Sequence, residues 1–150
     1  MTEFSLQQRK ALMKLLKRPP AYASDRLAES FLLKYVFAES LCRLVGRYYR
    51  ERARSGKKIA PKFHESIQIN VVSRSFTHFG IRVRDECLKF VLDSSLDKRG
   101  EKSARILRNG IVHRWDENDV AEASKRYSSL CRALNVVVNS ISHRANRVHR

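Results

Sequence analysis

No stretch of this 150-residue sequence approaches the ~18 apolar residues that a membrane-spanning helix needs, so no membrane association through a span is expected. Cysteine is scarce: Cys42, Cys87 and Cys131 are odd in number and far apart. That excludes a disulfide framework and predicts buried thiols in a reducing, cytoplasmic setting. No Cys/His cluster has zinc-ligand spacing, so neither a metal nor a cofactor is expected. The opening MTEFSLQQRKALMKLLKR scatters charge through its apolar pattern and lacks a small-residue cleavage site, which argues against a secretory signal. Acid is also short, with 15 Asp and Glu against 31 Lys and Arg.

The resulting formal charge of +16 points to a polyanionic partner. Solubility alone asks for a magnitude of only about 2–8 in a small domain. RNA or DNA is the favoured partner, with an anionic membrane surface a weaker alternative. Between Arg43 and Lys62 stand eight basic residues and one acid, Glu51, a net charge of +7 in twenty residues. Tyr48 and Tyr49 are interleaved with them. Arg43, Arg47, Arg50, Arg54, Lys57 and Lys58, together with Arg114 further on, are the candidate phosphate-backbone contacts.

Length predicts a single domain spanning residues 1–150, and the pattern predicts an all-α, up-and-down bundle of five or six helices. Residues 4–18 form a short helix with Phe4, Leu12, Leu15 and Leu16 as apolar contacts, stopped by Pro19-Pro20. Ser24 or Asp25 caps a second helix running to about Ser55. At 100° per residue its apolar positions (Phe31, Tyr35, Ala38, Leu41, Cys42 and Val45 among them) fill more than half the circumference. Such a helix is either central to the bundle or partly a subunit interface. Residues 62–80 alternate locally as Ile-Gln-Ile-Asn-Val, yet Ile67, Val71, Val72 and Phe76 fit helical spacing, so a helix closed by Gly80 is expected. His64 and His78 read as structural histidines. Asp85 caps a helix continuing through Leu92 towards Leu96, and a loop around Gly100 precedes the next. Last, Val120, Ala123, Tyr127, Leu130, Leu134, Val137 and Ile141 form a three-four apolar seam on one long helix. The basic tail from residue 142 to 150 is expected to fray or to touch nucleic acid.

The chemistry concentrates in Leu107-Arg108-Asn109-Gly110-Ile111-Val112-His113-Arg114-Trp115. Ile111 and Val112 are expected to pin the segment to the core, and Asp116-Glu117-Asn118-Asp119 is an acidic helix start directly after it. A straight helix would put Asn109 and His113 on one face but Arg108 and His113 about 140° apart. Asn109-Gly110 is also a helix-ending pair. Arg108 and His113 are therefore expected to converge through a departure from helix between them. A second pair of the same spacing, Arg144 and His149, sits in the basic tail with no adjacent Asn and no helix following, and is set aside.

Arg108-Asn109-Gly110-Ile111-Val112-His113 resembles the signature of the HEPN superfamily of small all-helical domains. Many of its members are metal-independent ribonucleases of toxin, antiphage and RNA-processing systems. The resemblance implies cleavage of single-stranded RNA, with Arg108, Asn109 and His113 as the catalytic set. It also implies an acidic residue orienting a motif side chain, for which Glu39 is the candidate; its plainer use is a surface pair with Arg43 four residues on. A homodimer and a protein inhibitor or antitoxin are the further partners implied. One departure stands out. Where toxins silenced by a nucleotidyltransferase carry a modifiable tyrosine two places after the histidine, this chain has Trp115, which has no hydroxyl. The alternative reading is a non-catalytic helical module that binds nucleic acid or protein, or simply a structural dimerisation domain.

The residues themselves suit that chemistry. Activating a ribose 2′-hydroxyl against the adjacent phosphorus needs a base, an acid for the leaving oxygen and positive charge at the phosphate. An imidazole titrating near 6.5 serves proton transfer. A guanidinium that stays protonated and presents a fork of donors serves the phosphate. One histidine cannot be base and acid in one step, so a second copy of the motif would supply the missing group.

Overall fold

The computed structural model describes residues 2–17, 26–53, 67–114 and 116–147. Among these the chain is entirely helical: α1 (Leu6–Leu16), α2 (Leu27–Ala53), α3 (Ile69–Phe79), α4 (Asp85–Leu92), α5 (Ala104–Arg114), α6 (Glu117–Lys125) and α7 (Tyr127–Asn146). The expected cap of α2 at Ser24 or Asp25, the stop at Pro19-Pro20, and Phe63, His64 and Trp115 lie outside the described residues.

α1 opens with a reciprocal cap. Ser5 N–H donates to Gln8 Oε1 at 2.8 Å while Gln8 N–H donates to Ser5 Oγ at 3.2 Å, satisfying two donors that the first turn leaves orphaned. Phe4, just before that cap, is buried and stacks on Phe79 at 4.4 Å. Leu12 is fully buried and Leu16 packs at the core edge, while the side chain of Leu15 lies outside the described set.

α2 is the centre of the bundle. It packs on α1, α3, α5, α6 and α7, burying Phe31, Tyr35, Ala38, Leu41, Cys42 and Val45 completely. This is the central role that its wide apolar arc allows. A stripe nevertheless faces outward: Leu33 is 56% and Val36 45% exposed, with Phe37 and Leu44 half-buried beside them. Burial pushes the Cys42 thiol up to about 12, with the Glu39 carboxylate adding to the effect, so this cysteine stays a protonated core side chain.

α3 is helix rather than strand, and its end explains Gly80. With φ at 68° the glycine closes a Schellman turn: its own N–H reaches Thr77 O at 3.2 Å, and Ile81 N–H reaches Phe76 O at 2.8 Å. Two expectations for the next segment fail. The cap position of α4 is Arg84, whose side chain makes no capping bond, and Asp85 is instead the first helical residue, where with Glu86 it complements the helix dipole. The helix stops at Leu92, so Leu96 is a loop residue, 53% exposed.

The seam after the motif is buried as expected at Ala123, Tyr127, Leu130, Leu134, Val137 and Ile141, but on two helices rather than one. That break makes seven helices among the described residues where five or six were expected. It falls at Arg126, with φ −95° and ψ 11°. The guanidinium there donates to Lys102 O at 2.8 Å, pairs with Glu122 at 3.1 Å and lies 5.3 Å from the Phe90 ring centroid. The kink is held by polar contacts to the loop before α5, which an apolar spacing does not reveal. The tail expectation is corrected as far as Asn146, while residues 148–150, Arg150 and His149 among them, lie outside the described residues. α7 runs to Asn146, and Arg144 is buried with Nε donating to Phe79 O at 2.5 Å. A residue locked to α3 is not a free nucleic-acid contact.

Candidate active site

α5 carries the motif, and Ser103 starts it by accepting the Ile106 N–H on Oγ at 3.2 Å and donating to Asp93 O at 2.5 Å. Arg105 then clamps the helix to its neighbours, its Nη1 donating to Ile67 O at 2.8 Å and Leu92 O at 3.3 Å. No local signal in the sequence separates this arginine from the many others.

The helix continues without interruption to Arg114, so the expected departure at Asn109-Gly110 does not occur. Gly110 has a different purpose. A Cβ there would collide with the Asp119 carboxylate of α6, which fills the notch the glycine leaves. Asp119 is fully buried, its Oδ1 accepting from Lys102 Nζ at 2.5 Å. The hydrogen bond and the nearby carboxylate raise the lysine above its ordinary range. Asp116 caps α6 as expected, accepting from the N–H groups of Asn118 and Asp119, and its own N–H donates to Gly110 O at 3.2 Å. The motif and the acidic segment after it are thus one corner, built around a missing side chain. Ile111 is buried as expected, but Val112 is 51% exposed and does not pin the segment.

Arg108 and Asn109 come together. Arg108 Nη1 donates to Asn109 Oδ1 at 2.8 Å, which carries the guanidinium around the helix towards the side that Asn109 shares with His113. His113 and Arg114 are exposed on the last turn, and among the described residues no hydrogen bond joins His113 to Arg108 or Asn109. The amide of Asn109 is therefore set by Arg108, not by the imidazole.

Beneath Arg108 lies a polar seam that sequence reasoning missed, because Tyr35 reads there as one more apolar-arc residue. Its hydroxyl is buried without a hydrogen-bond partner, as is Arg108 Nε. Burial and the Glu39 carboxylate push the Tyr35 hydroxyl well above the usual tyrosine range, against the opposing pull of Arg105 and Arg108. Glu39 thus shares a neighbourhood with Arg108 across the α2–α5 packing, while its carboxylate is engaged by Arg43 at 3.3 Å. The surface pair is present, and among the described residues Glu39 accepts no hydrogen bond from Arg108, Asn109 or His113.

Of the basic residues, Arg43 is exposed and Arg47 and Arg50 are half-buried; Arg47 pairs with Glu51 at 3.6 Å. Arg54, Lys57, Lys58 and Lys62 lie outside the described residues. Tyr48 is a core residue, whereas Tyr49 is half-buried against His78 at 5.2 Å. His78 is structural in its setting, wedged edge-on between Tyr49 and Phe79. An open cleft lies elsewhere, between α4 and the loop at 93–103, lined by Glu86, Lys89, Phe90, Asp97 and Lys98 among others, and no side chain of the Arg108–His113 motif enters it. Among the described residues no group of His, Cys, Asp and Glu is arranged to hold a metal ion, and no helix is long and apolar enough to cross a membrane.

Comparison with known proteins finds no matching family model, no matching curated protein and no matching solved structure.

Proposed function

We propose that the chain is a HEPN-like endoribonuclease that cleaves single-stranded RNA by attack of the ribose 2′-hydroxyl on the adjacent phosphorus. The observation that carries this reading is the Arg108–Asn109 hydrogen bond, which joins a permanently charged fork to the amide whose helix face His113 shares one turn on. His113 takes the 2′-hydroxyl proton, Arg108 neutralises charge building on the non-bridging oxygens, and the P–O5′ bond breaks. The products are a 2′,3′-cyclic phosphate and a free 5′-hydroxyl. Protons and Arg108 suffice for the step, and the reading invokes no metal.

Protonating the departing 5′-oxygen needs a second group, and the reading takes it from a second copy. Val112 on α5, and Leu33 and Val36 on α2, which packs on α5, are exposed apolar side chains suited to be covered by an apolar surface of their own kind. The surplus of positive charge supplies affinity for the RNA backbone. The test is incubation of the full-length protein with single-stranded RNA in excess chelator, reading product ends. Cyclic-phosphate termini support the reading. Salt-sensitive binding with no cleavage of any RNA would assign a binding module instead.

A further inference from the structure

We infer that α1 and the outer face of α7 together form a binding surface for the phosphate backbone of an RNA strand, separate from the Arg108–His113 motif. The inference goes beyond the nuclease reading and does not depend on cleavage. It begins with a segregation of charge. Of the 15 Asp and Glu residues, all but Glu3 lie from Asp25 to Glu122, so residues 4–24 and 123–150 carry no acid. The fold then brings the helices of these two stretches together: α1 packs on α7. Arg9 Nε donates to Ala145 O at 2.9 Å, which ties the turn of α1 that carries Lys10 to the turn of α7 that leads to Arg147.

Both helices turn cations to solvent. Lys10, Lys14 and, just past the end of α1, Lys17 are exposed and recur at steps of four and three, which is one helix face. On α7 the exposed positions Arg132, Val136, Asn139, His143 and Arg147 recur in the same way, a stripe about 22 Å long. None of these five Lys and Arg residues forms an ion pair with a described acid, whereas Arg43 and Arg47 of α2 are engaged by Glu39 and Glu51. A cationic face with no acid to balance it repels itself, and an anionic partner relieves that repulsion. The other members of the face decide which anion fits. Apart from Val136 and, at the start of α1, Leu6, it is polar, and Asn135 and Asn139 offer exposed amides suited to phosphate and sugar oxygens. A helix lying on a membrane needs a broad apolar face, which this stripe lacks. The principal packing neighbours of α1 are α2 and α7, and those of α5 are α2, α4 and α6, with only α2 common to both. A strand that engages this surface and the motif together must therefore be long enough to pass round the bundle.

The test is fluorescence anisotropy of the full-length protein with a labelled single-stranded RNA of about 30 nucleotides, longer than the site of one small domain. Two charge reversals on each helix, Lys10→Glu with Lys14→Glu and Arg132→Glu with Arg147→Glu, are compared with the same change in the exposed loop at 93–103, Lys98→Glu with Arg99→Glu. Each helix pair should weaken binding roughly 10-fold or more and reduce the log–log salt slope by about 1.4, two phosphate contacts at about 0.7 each. The loop pair should weaken it less than about 3-fold. All six side chains are exposed, so thermal midpoints should stay near that of wild type. Should a Glu pair unfold, the matching Gln pair should give the same ordering at smaller size. Equal losses from all three pairs would show that net charge alone counts, and they overturn the inference. So does a wild type that binds no RNA at low salt. Binding to phosphatidylserine vesicles that the helix pairs abolish, with RNA affinity unmoved, assigns the face to a membrane and overturns it as well. A wild type that binds RNA through this face yet cuts none keeps the inference and ends the nuclease reading. If wild type does cut, the helix pairs should raise KM for the long RNA with kcat unchanged.

Discussion

The carboxylate of Asp119 occupies the space that a Cβ on Gly110 would need. That single relationship ties the second residue after Arg108 to the start of α6, and it makes the glycine a packing requirement rather than a helix stop. Gly110→Ala should therefore cost about 3 kcal/mol or more, since the methyl must push the carboxylate off Lys102 or move α6 bodily. Asp119→Ala should cost less, about 1–3 kcal/mol, because Lys102, 35% exposed, can turn to water. The Asp119 Cβ lies 3.3 Å from the added methyl, close enough to be relieved by a small shift. The double variant should therefore be less destabilised than the sum of the two, by more than about 1 kcal/mol in a denaturation cycle. Strict additivity would show that the two residues do not compete for one space.

How much of this was legible beforehand differs from residue to residue. The α6 start could be read because Asp116 caps through bonds two and three residues away, a local event. Gly80 was legible for the same reason. Gly110 was not: an Asn-Gly pair looks like a helix end until the partner that needs the gap comes into view from α6. Val112 was misjudged because an Ile-Val pair cannot say which member faces in, and here Ile111 takes the buried side. Arg126 and Arg144 have the composition of surface residues, and only tertiary carbonyl acceptors, Lys102 O and Phe79 O, make them structural. The fold class was thus readable from periodicity, whereas the polar seam of Tyr35, Glu39 and Arg108 arises from helices far apart in the chain.

The exposed apolar side chains of α2 and α5 predict self-association. The protein should sediment as a dimer at micromolar concentration. Leu33→Arg combined with Val36→Arg should shift it to monomer with little loss of fold, because both side chains are about half exposed in the single chain. A wild type that stays monomeric yet cuts RNA at full rate would defeat the two-copy account of the acid and base.

RNA affinity should fall steeply with salt. Four to six phosphate contacts on a single strand give a log–log slope of roughly −3 to −4. Reversing Arg43 and Arg47 to Glu should flatten the slope, whereas Arg144→Glu should unfold the protein first, since that guanidinium is buried against Phe79 O. A slope near zero in wild type at neutral pH would remove nucleic acid as the partner.

His78 predicts a pH effect on stability. Burial, helped by the Arg52 charge, holds its imidazole below the ordinary 6.5. Between the lowered folded value and 6.5 the unfolded chain binds the extra proton, so stability should fall as pH drops through that window. His78→Gln keeps a polar side chain without the titration. Its thermal midpoint should decline less than wild type on acidification below 6.5, and parallel declines would show that His78 is not the group responsible.

Catalysis is the prediction that separates an enzyme from a binding module. His113→Ala removes the imidazole that the motif offers for proton transfer and leaves Arg108, Asn109 and the basic surface in place. The rate should drop by ~10²–10⁴, the usual contribution of a positioned acid or base, while RNA affinity changes little. Because His113 is exposed and joins no structural hydrogen bond among the described residues, its loss should leave the unfolding free energy within about half a kcal/mol of wild type, so a lost rate cannot be blamed on lost fold. Arg108→Ala should reduce the rate as well, with some loss of binding because the guanidinium also holds ground-state phosphate. It should also free Asn109, whose amide oxygen then loses its donor. Substituting His149, whose spacing from Arg144 repeats that of the motif in the basic tail, should do almost nothing. Equal cleavage by wild type and His113→Ala would end the nuclease assignment and leave a basic helical bundle that binds its polyanion by charge.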